Sequence, residues 1–155
     1  MTDSRFWTLL DDCSQSTAVM ASFCAALEQA LSNLPPEELW SFDKWVWHYI
    51  QRLQWHSGMR FNEELNSCLD QAMGLQLGGD TGDCYAGWAI AQGREFYFSL
   101  VNQSGRAVER LPSWDDVWQG ENVAFLASRV FSERTGQSLQ EVFGADMSIE
   151  SAPEA

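Results

Sequence analysis

Between residues 16 and 34 apolar side chains recur at steps of three and four: Val19, Met20, Phe23, Leu27, Ala30, Leu31 and Leu34. That spacing places them on one face of a helix and predicts an amphipathic element from Ser16 to Leu34. Upstream, Ser4 offers a cap to a shorter helix with Phe6, Trp7, Leu10 and Cys13 on its apolar side. Pro35-Pro36-Glu37-Glu38 ends one helix and opens the next, since proline is tolerated in a first turn and acids suit the positive end of the dipole. In the helix predicted from Pro36 to His56, the residues Leu39, Phe42, Val46, Tyr49, Ile50 and Leu53 fall within an arc of roughly 100°. Trp40 and Trp47 lie together roughly 110° from the centre of that arc, on a second apolar patch. Two readings follow: a central helix covered on both sides, or an exposed aromatic hot spot.

The pattern continues downstream. Asn62 can cap a helix with Leu65, Cys68, Leu69, Ala72 and Met73 inward. Gly78 to Gly82 reads as a loop, with Asp83 as the cap of a helix from Cys84 to about Val101. Gly87 and Gly93 inside that helix point to close approach of a neighbouring backbone. Asn102 to Pro112 is a polar connector, and Ser113 with Asp116 opens a short turn at Trp114 and Trp118. Glu121 to Arg134 is amphipathic through Val123, Leu126, Ala127, Val130 and Phe131, and Thr135-Gly136 stops it. Ser138 and Glu141 form a capping box before Val142 and Phe143. No internal repeat and no sustained strand-like alternation is present. The expected fold is all-α: one compact multi-helix bundle over residues 1–144 with a long, central, aromatic-rich helix, then a flexible acidic tail over 145–155.

Charge changes the picture more than length does. Twenty-two Asp and Glu stand against nine Lys and Arg, for a net charge of −13, and Lys44 is the sole lysine. Such a surface repels phosphate backbones, which excludes nucleic acid as a natural partner. It suits a basic protein, although acidity also serves plain solubility. Cys13, Cys24, Cys68 and Cys84 form no C-x-x-C pair and are expected as buried, reduced thiols. The acids near the N-terminus do not make a signal peptide, and no run approaches the ~20 apolar residues of a membrane span, so a cytoplasmic location is expected.

The run Gly78-Gly79, Asp83, Gly87-Trp88, Ile90-Ala91-Gln92-Gly93-Arg94-Glu95 and Tyr97 resembles the bacterial family named domain of unknown function DUF 4240. Phe6-Trp7-x-x-Leu10 and Leu34-Pro35-Pro36-Glu37-Glu38 fit the same pattern, so the likeness spans most of residues 4 to 136. Two departures stand out. Ala86 occupies a place where the pattern carries an arginine, and the segment between the long helix and the Gly-Gly loop is longer. The resemblance implies fold and bacterial origin and carries no activity with it.

Candidate chemistry is sparse. Asp80-Thr81-Gly82 matches the aspartic-protease tripeptide, but that reaction needs two carboxylates sharing a proton on β loops, and no second copy is present. His48 and His56 are eight residues apart, so their directions differ by roughly 80° and they do not chelate one ion as an i, i+4 pair does. Cys84 at a helix start is a conceivable nucleophile, opposed by the charge of Asp83. Gln92 and Arg94 suit either an internal network, with Arg94 paired to Asp80 or Asp83, or recognition of an anionic or amide group beside Trp88 and Tyr97. The candidate binding residues are therefore Trp40, Trp47, Asp80, Asp83, Trp88, Gln92 and Arg94, with no catalytic set, metal or cofactor expected. The expected function is that of a non-catalytic acidic module binding a basic protein, for instance an immunity protein neutralising a basic toxin. The alternatives are a small-ligand sensor or enzyme with a pocket around Trp88, Gln92 and Arg94, and a regulatory or structural module.

Overall fold

A computed structural model describes residues 1–14, 19–56 and 60–149. Helix α1 (Asp3–Ser14) buries Phe6, Trp7, Leu10 and Cys13, the four residues of its apolar side. Its start is tied by Thr2 rather than Ser4, because the Thr2 hydroxyl accepts from the Arg5 amide at 3.3 Å. Helix α2 (Met20–Ser32) buries Met20, Phe23, Leu27 and Leu31. Its predicted first turn at Ser16 lies outside the described residues. Val19 is a correction: it stands before the helix in extended backbone and is 60% exposed, so it leaves the core stripe.

Helix α3 (Pro36–Gln54) buries the whole predicted stripe. Its second apolar side is covered too. Trp40 is buried with its ring stacked on Phe143 at 5.9 Å, and half-buried Trp47 meets the edge of Phe125 at 5.5 Å. The central-helix reading therefore holds for Trp40. The helix ends earlier than expected, because Trp55–His56 (β1) pairs antiparallel with Arg60–Phe61 (β2), the rings of Trp55 and Phe61 meeting at 5.2 Å. Such a cross-strand aromatic pair favours extended backbone over another helical turn.

Asn62 caps α4 (Glu63–Met73), accepting from the Leu65 amide at 3.1 Å. Leu65 and Leu69 are buried, whereas Ala72 is exposed and Cys68 and Met73 are only half-buried. This short helix rests chiefly on a 3-10 turn at Ser104–Glu109, in what the sequence marks as a connector, and that contact is too narrow to cover the full stripe.

The Gly-rich stretch differs most from expectation. Helix α5 (Gly79–Ala91) already includes Asp80 to Asp83, so Asp83 is no cap. The start is organised from α3: the buried Gln54 accepts from the Gly78 amide at 3.0 Å and donates to the Asp83 carboxylate at 2.8 Å. The helix predicted from Cys84 to Val101 breaks at Gly93, which adopts φ +101, a conformation L side chains rarely take. Helix α6 (Arg94–Asn102) sets off from there.

Helix α7 (Trp114–Thr135) is one element of 22 residues where a short turn and a separate helix are expected. Gly120 sits in its middle against α5. A Cβ on Gly120 would lie 2.0 Å from the Cys84 carbonyl oxygen, and one on Gly87 would lie 2.2 Å from that of Gly120. The two glycines let the backbones cross almost in contact, so Gly87 fulfils the expected close approach. Gly136 ends α7 in the left-handed conformation, and Ser138 with Glu141 boxes the start of α8 (Leu139–Phe143). Beyond it, Met147 and Ile149 are partly buried against the core, although the sequence predicts fraying from Ala145. The core is a ring-rich layer among α1, α3, α5, α6 and α7, centred on Phe6, Trp7, Phe42, Tyr49 and Tyr97. Among the described residues the fold is all-α but for the pair of two-residue strands.

Candidate functional site

Trp88, Gln92 and Arg94 share a motif but differ in setting: Trp88 is buried, Gln92 half-buried and Arg94 exposed. Trp88 is buried between the rings of Tyr85 and Phe96. The Gln92 amide donates to the Trp88 carbonyl of its own helix at 3.3 Å. Beyond the Gly93 bend, the Arg94 side chain is 59% exposed, lies over the Phe98 ring at 5.6 Å and reaches Asp3 of α1 at 3.9 Å. Its partner is thus Asp3, not Asp80 or Asp83, because the bend swings the start of α6 toward α1. The Arg94 amide also supports Asp11, whose pKa burial raises first and Asp12 second, against the lowering influence of Arg94. Tyr97 donates to the Tyr49 carbonyl at 2.7 Å, and the Tyr49 hydroxyl donates to Asp3. The motif builds the joint by which α5 and α6 grip α1 and α3. Ala86, at the place of departure from the resembled pattern, is fully buried.

Asp80 and Asp83 stand elsewhere, at the start of α5. Cys84 is buried there, and burial pushes its thiol up to about 11, helped by the charges of Glu121, Asp83 and Asp80. A thiol so held is protonated at neutral pH, which removes the species a nucleophile needs. Asp83 is raised by burial above all, with the Gln54 hydrogen bond opposing and Asp80 adding. Asp80, Thr81 and Gly82 form the first turn of a helix rather than a β loop, so the protease likeness ends at the tripeptide. Among the described residues no three His, Cys, Asp or Glu side chains are placed to hold a metal ion.

On α3, Trp47, His48 and Gln51 combine with Gln140, Met147 and Ile149 to line an open groove of about 420 Å³. His48 is half-buried, its ring edge-on to Trp45 and Tyr49, and its basicity is lowered by burial and then by Arg52, with Asp3 opposing. The side chain of His56 lies outside the described residues.

The more telling surface belongs to α7. Trp114, Trp118 and Phe125 are 41%, 51% and 47% exposed. At 100° per residue they share with exposed Glu121 an arc of roughly 60°, the solvent side of the helix. Trp114 and Trp118 touch at 6.0 Å, while Phe125 leans on Trp47. The sequence holds the signal, as spacings of four, three and four from Trp114 to Phe125. Dividing the helix near Gly120 hides it.

Eight of the nine cations have contacts within the molecule, while Arg60 of β2 is exposed with no ion pair or ring contact among the described residues. Arg5 pairs with Glu38, Arg94 with Asp3, Arg106 with Glu109, and Arg129 with Glu28 and Glu133. Arg134 donates to the Leu34 carbonyl, and Lys44, Arg52 and Arg110 lie over aromatic rings. Asp80, Asp115 and Glu121 have no cation partner among the described residues.

Fold and surface together define an acidic, predominantly helical protein in which α5 meets α6 at a glycine bend and crosses α7 at two glycines. The chain belongs to the family described as Protein of unknown function (DUF4240), whose model matches residues 1–133. No curated protein and no solved structure matches it. No helix among the described residues is long and apolar enough to cross a membrane.

Proposed function

We propose that this protein is a non-catalytic binding module for a basic protein, in the manner of a cytosolic immunity protein that neutralises a basic toxin. The observation that carries the reading is the division of charge. Most of the arginines are drawn into ion pairs and ring contacts within the molecule, while Asp80, Asp115 and Glu121 face outward with no cation partner among the described residues. Unpaired carboxylates of one sign steer a positively charged partner and reject a negatively charged one. The high pKa of Cys84 and the contacts of Arg94 with Asp3 and the Phe98 ring weigh on the same side, since neither offers a poised reactive group.

Calorimetric titration with the product of the adjacent gene tests the proposal, run at about 50 mM and again at about 200 mM salt, where screening is stronger. Binding tighter than micromolar that weakens with salt is expected. Affinity weaker than about micromolar at both would end the reading.

A further inference from the structure

We infer that the docking surface is the outer face of α7, with Trp114 and Trp118 as its apolar anchor, and that it receives an arginine-bearing segment of the partner. The inference rests on the basic-partner reading and gives it a place and a chemistry.

The outer face of an amphipathic helix is ordinarily polar. Here the row from Trp114 through Trp118 to Phe125 extends about 17 Å along the axis. Tryptophan exposed in contact with another tryptophan is costly to leave in water and is the residue most enriched where interfaces concentrate their energy. Carboxylates border the row. Asp115 projects from one flank, Glu121 shares the exposed arc of the row itself, and Asp80 stands exposed at the start of α5, the helix packed against α7.

That border selects the occupant. A second copy of the chain, packed symmetrically, would bring two sets of these acids into one interface. An uncharged apolar segment would desolvate them with nothing in return. A nucleic acid would meet like charge. Arginine satisfies both halves of the surface, because its flat guanidinium stacks on an indole while its fork bonds a carboxylate. The molecule's own arginines make the related contact with phenyl rings: Arg110 lies 4.6 Å from the centre of the Phe96 ring, and Arg52 and Arg94 lie over Phe98.

The test uses the full chain and a fluorescein-labelled nona-arginine peptide, with nona-lysine for comparison, at about 50 mM salt. Three variants are compared: Trp114→Ser with Trp118→Ser; Asp80→Asn with Asp115→Asn and Glu121→Gln; and Asp12→Asn with Glu37→Gln and Glu95→Gln. The last makes the same charge change at exposed positions on α1, α3 and α6. All substituted residues but Trp114 and Trp118 are polar, and every one is exposed, so a thermal melt resembling that of the parent is expected for each. The first two variants should weaken nona-arginine by about tenfold or more and the third by less than about twofold, with nona-lysine binding more weakly throughout. Equal losses in the second and third variants, or an intact affinity in the first, would overturn the docking site while leaving a basic partner in place. A parent chain that binds neither peptide would overturn the basic-partner reading itself. A dimer in sedimentation that Trp114→Ser with Trp118→Ser disperses would give the face to a second copy instead.

Discussion

Asp43 lies on α3 between Trp40 and Trp47, one turn from each, and is buried with no cation partner among the described residues. Burial pushes its pKa from 3.8 to about 7. The sign of the consequence follows from linkage. Below the unfolded value both states hold the proton. As pH rises from about 4 to about 7 the unfolded chain ionises first, and stability falls; above about 7 the penalty is constant. Asp43→Asn should therefore stabilise the protein at about pH 8 by something on the order of 2–4 kcal/mol and have little effect at about pH 4. Urea denaturation at the two pH values checks this, and equal effects at both would show that ionisation is not the cause. Cys84 gives a second expectation at this scale. With its thiol near pKa 11 and buried, it should be alkylated by iodoacetamide at neutral pH more slowly than the half-buried Cys68. Peptide mapping after partial labelling decides, and faster labelling of Cys84 would restore the nucleophile reading. The influence of Asp83 on Cys84 is readable from adjacency in sequence, but the burial that dominates both environments is not, because it depends on what another helix lays over the side chain.

At the level of elements, the crossing of α5 and α7 depends on two glycines. Their missing side chains allow a carbonyl of one helix to approach the backbone of the other, and the obstructing atoms are backbone atoms that cannot swing aside. Gly87→Ala and Gly120→Ala should each cost roughly 2–4 kcal/mol, whereas Gly105→Ala, which meets nothing within 4 Å, should stay within about 0.5 kcal/mol of the parent. Thermal denaturation of the three variants tests it, and a neutral Gly120→Ala would mean the helices can separate without loss. Most elements were legible because their stripes, caps and stops are local: the runs through Phe6 to Cys13 and Leu39 to Leu53, Asn62 before α4, Gly136 after α7, and the Ser138–Glu141 box. The misread lengths of the helices around Gly93 and Gly120 share one cause. A glycine inside a helical pattern can mark a break, as at Gly93, or a close crossing, as at Gly120, and the difference lies in the neighbouring helix.

For the molecule as a whole, 22 acids against nine bases on a bundle of 155 residues make self-repulsion a standing cost of folding. Raising salt from about 10 to about 200 mM shortens the reach of that repulsion from roughly 30 Å to under 10 Å. The melting temperature should rise accordingly, as scanning calorimetry would show; a fall would mean that pairs such as Arg5–Glu38 outweigh the surplus. The same screening weakens attraction to a basic partner, so folding and binding should respond to salt in opposite directions.

Local rules acting on nearest neighbours determined from sequence alone that this chain is helical, acidic and rich in aromatic rings, because hydrophobic period, capping chemistry and net charge need no knowledge of distant contacts. The burial of Trp40, the partner of Arg94 and the outward row of Trp114, Trp118 and Phe125 were decided only in three dimensions. A helix pattern states which residues share a face, whereas which face meets another helix depends on how the glycine joints and crossings set the helices against one another.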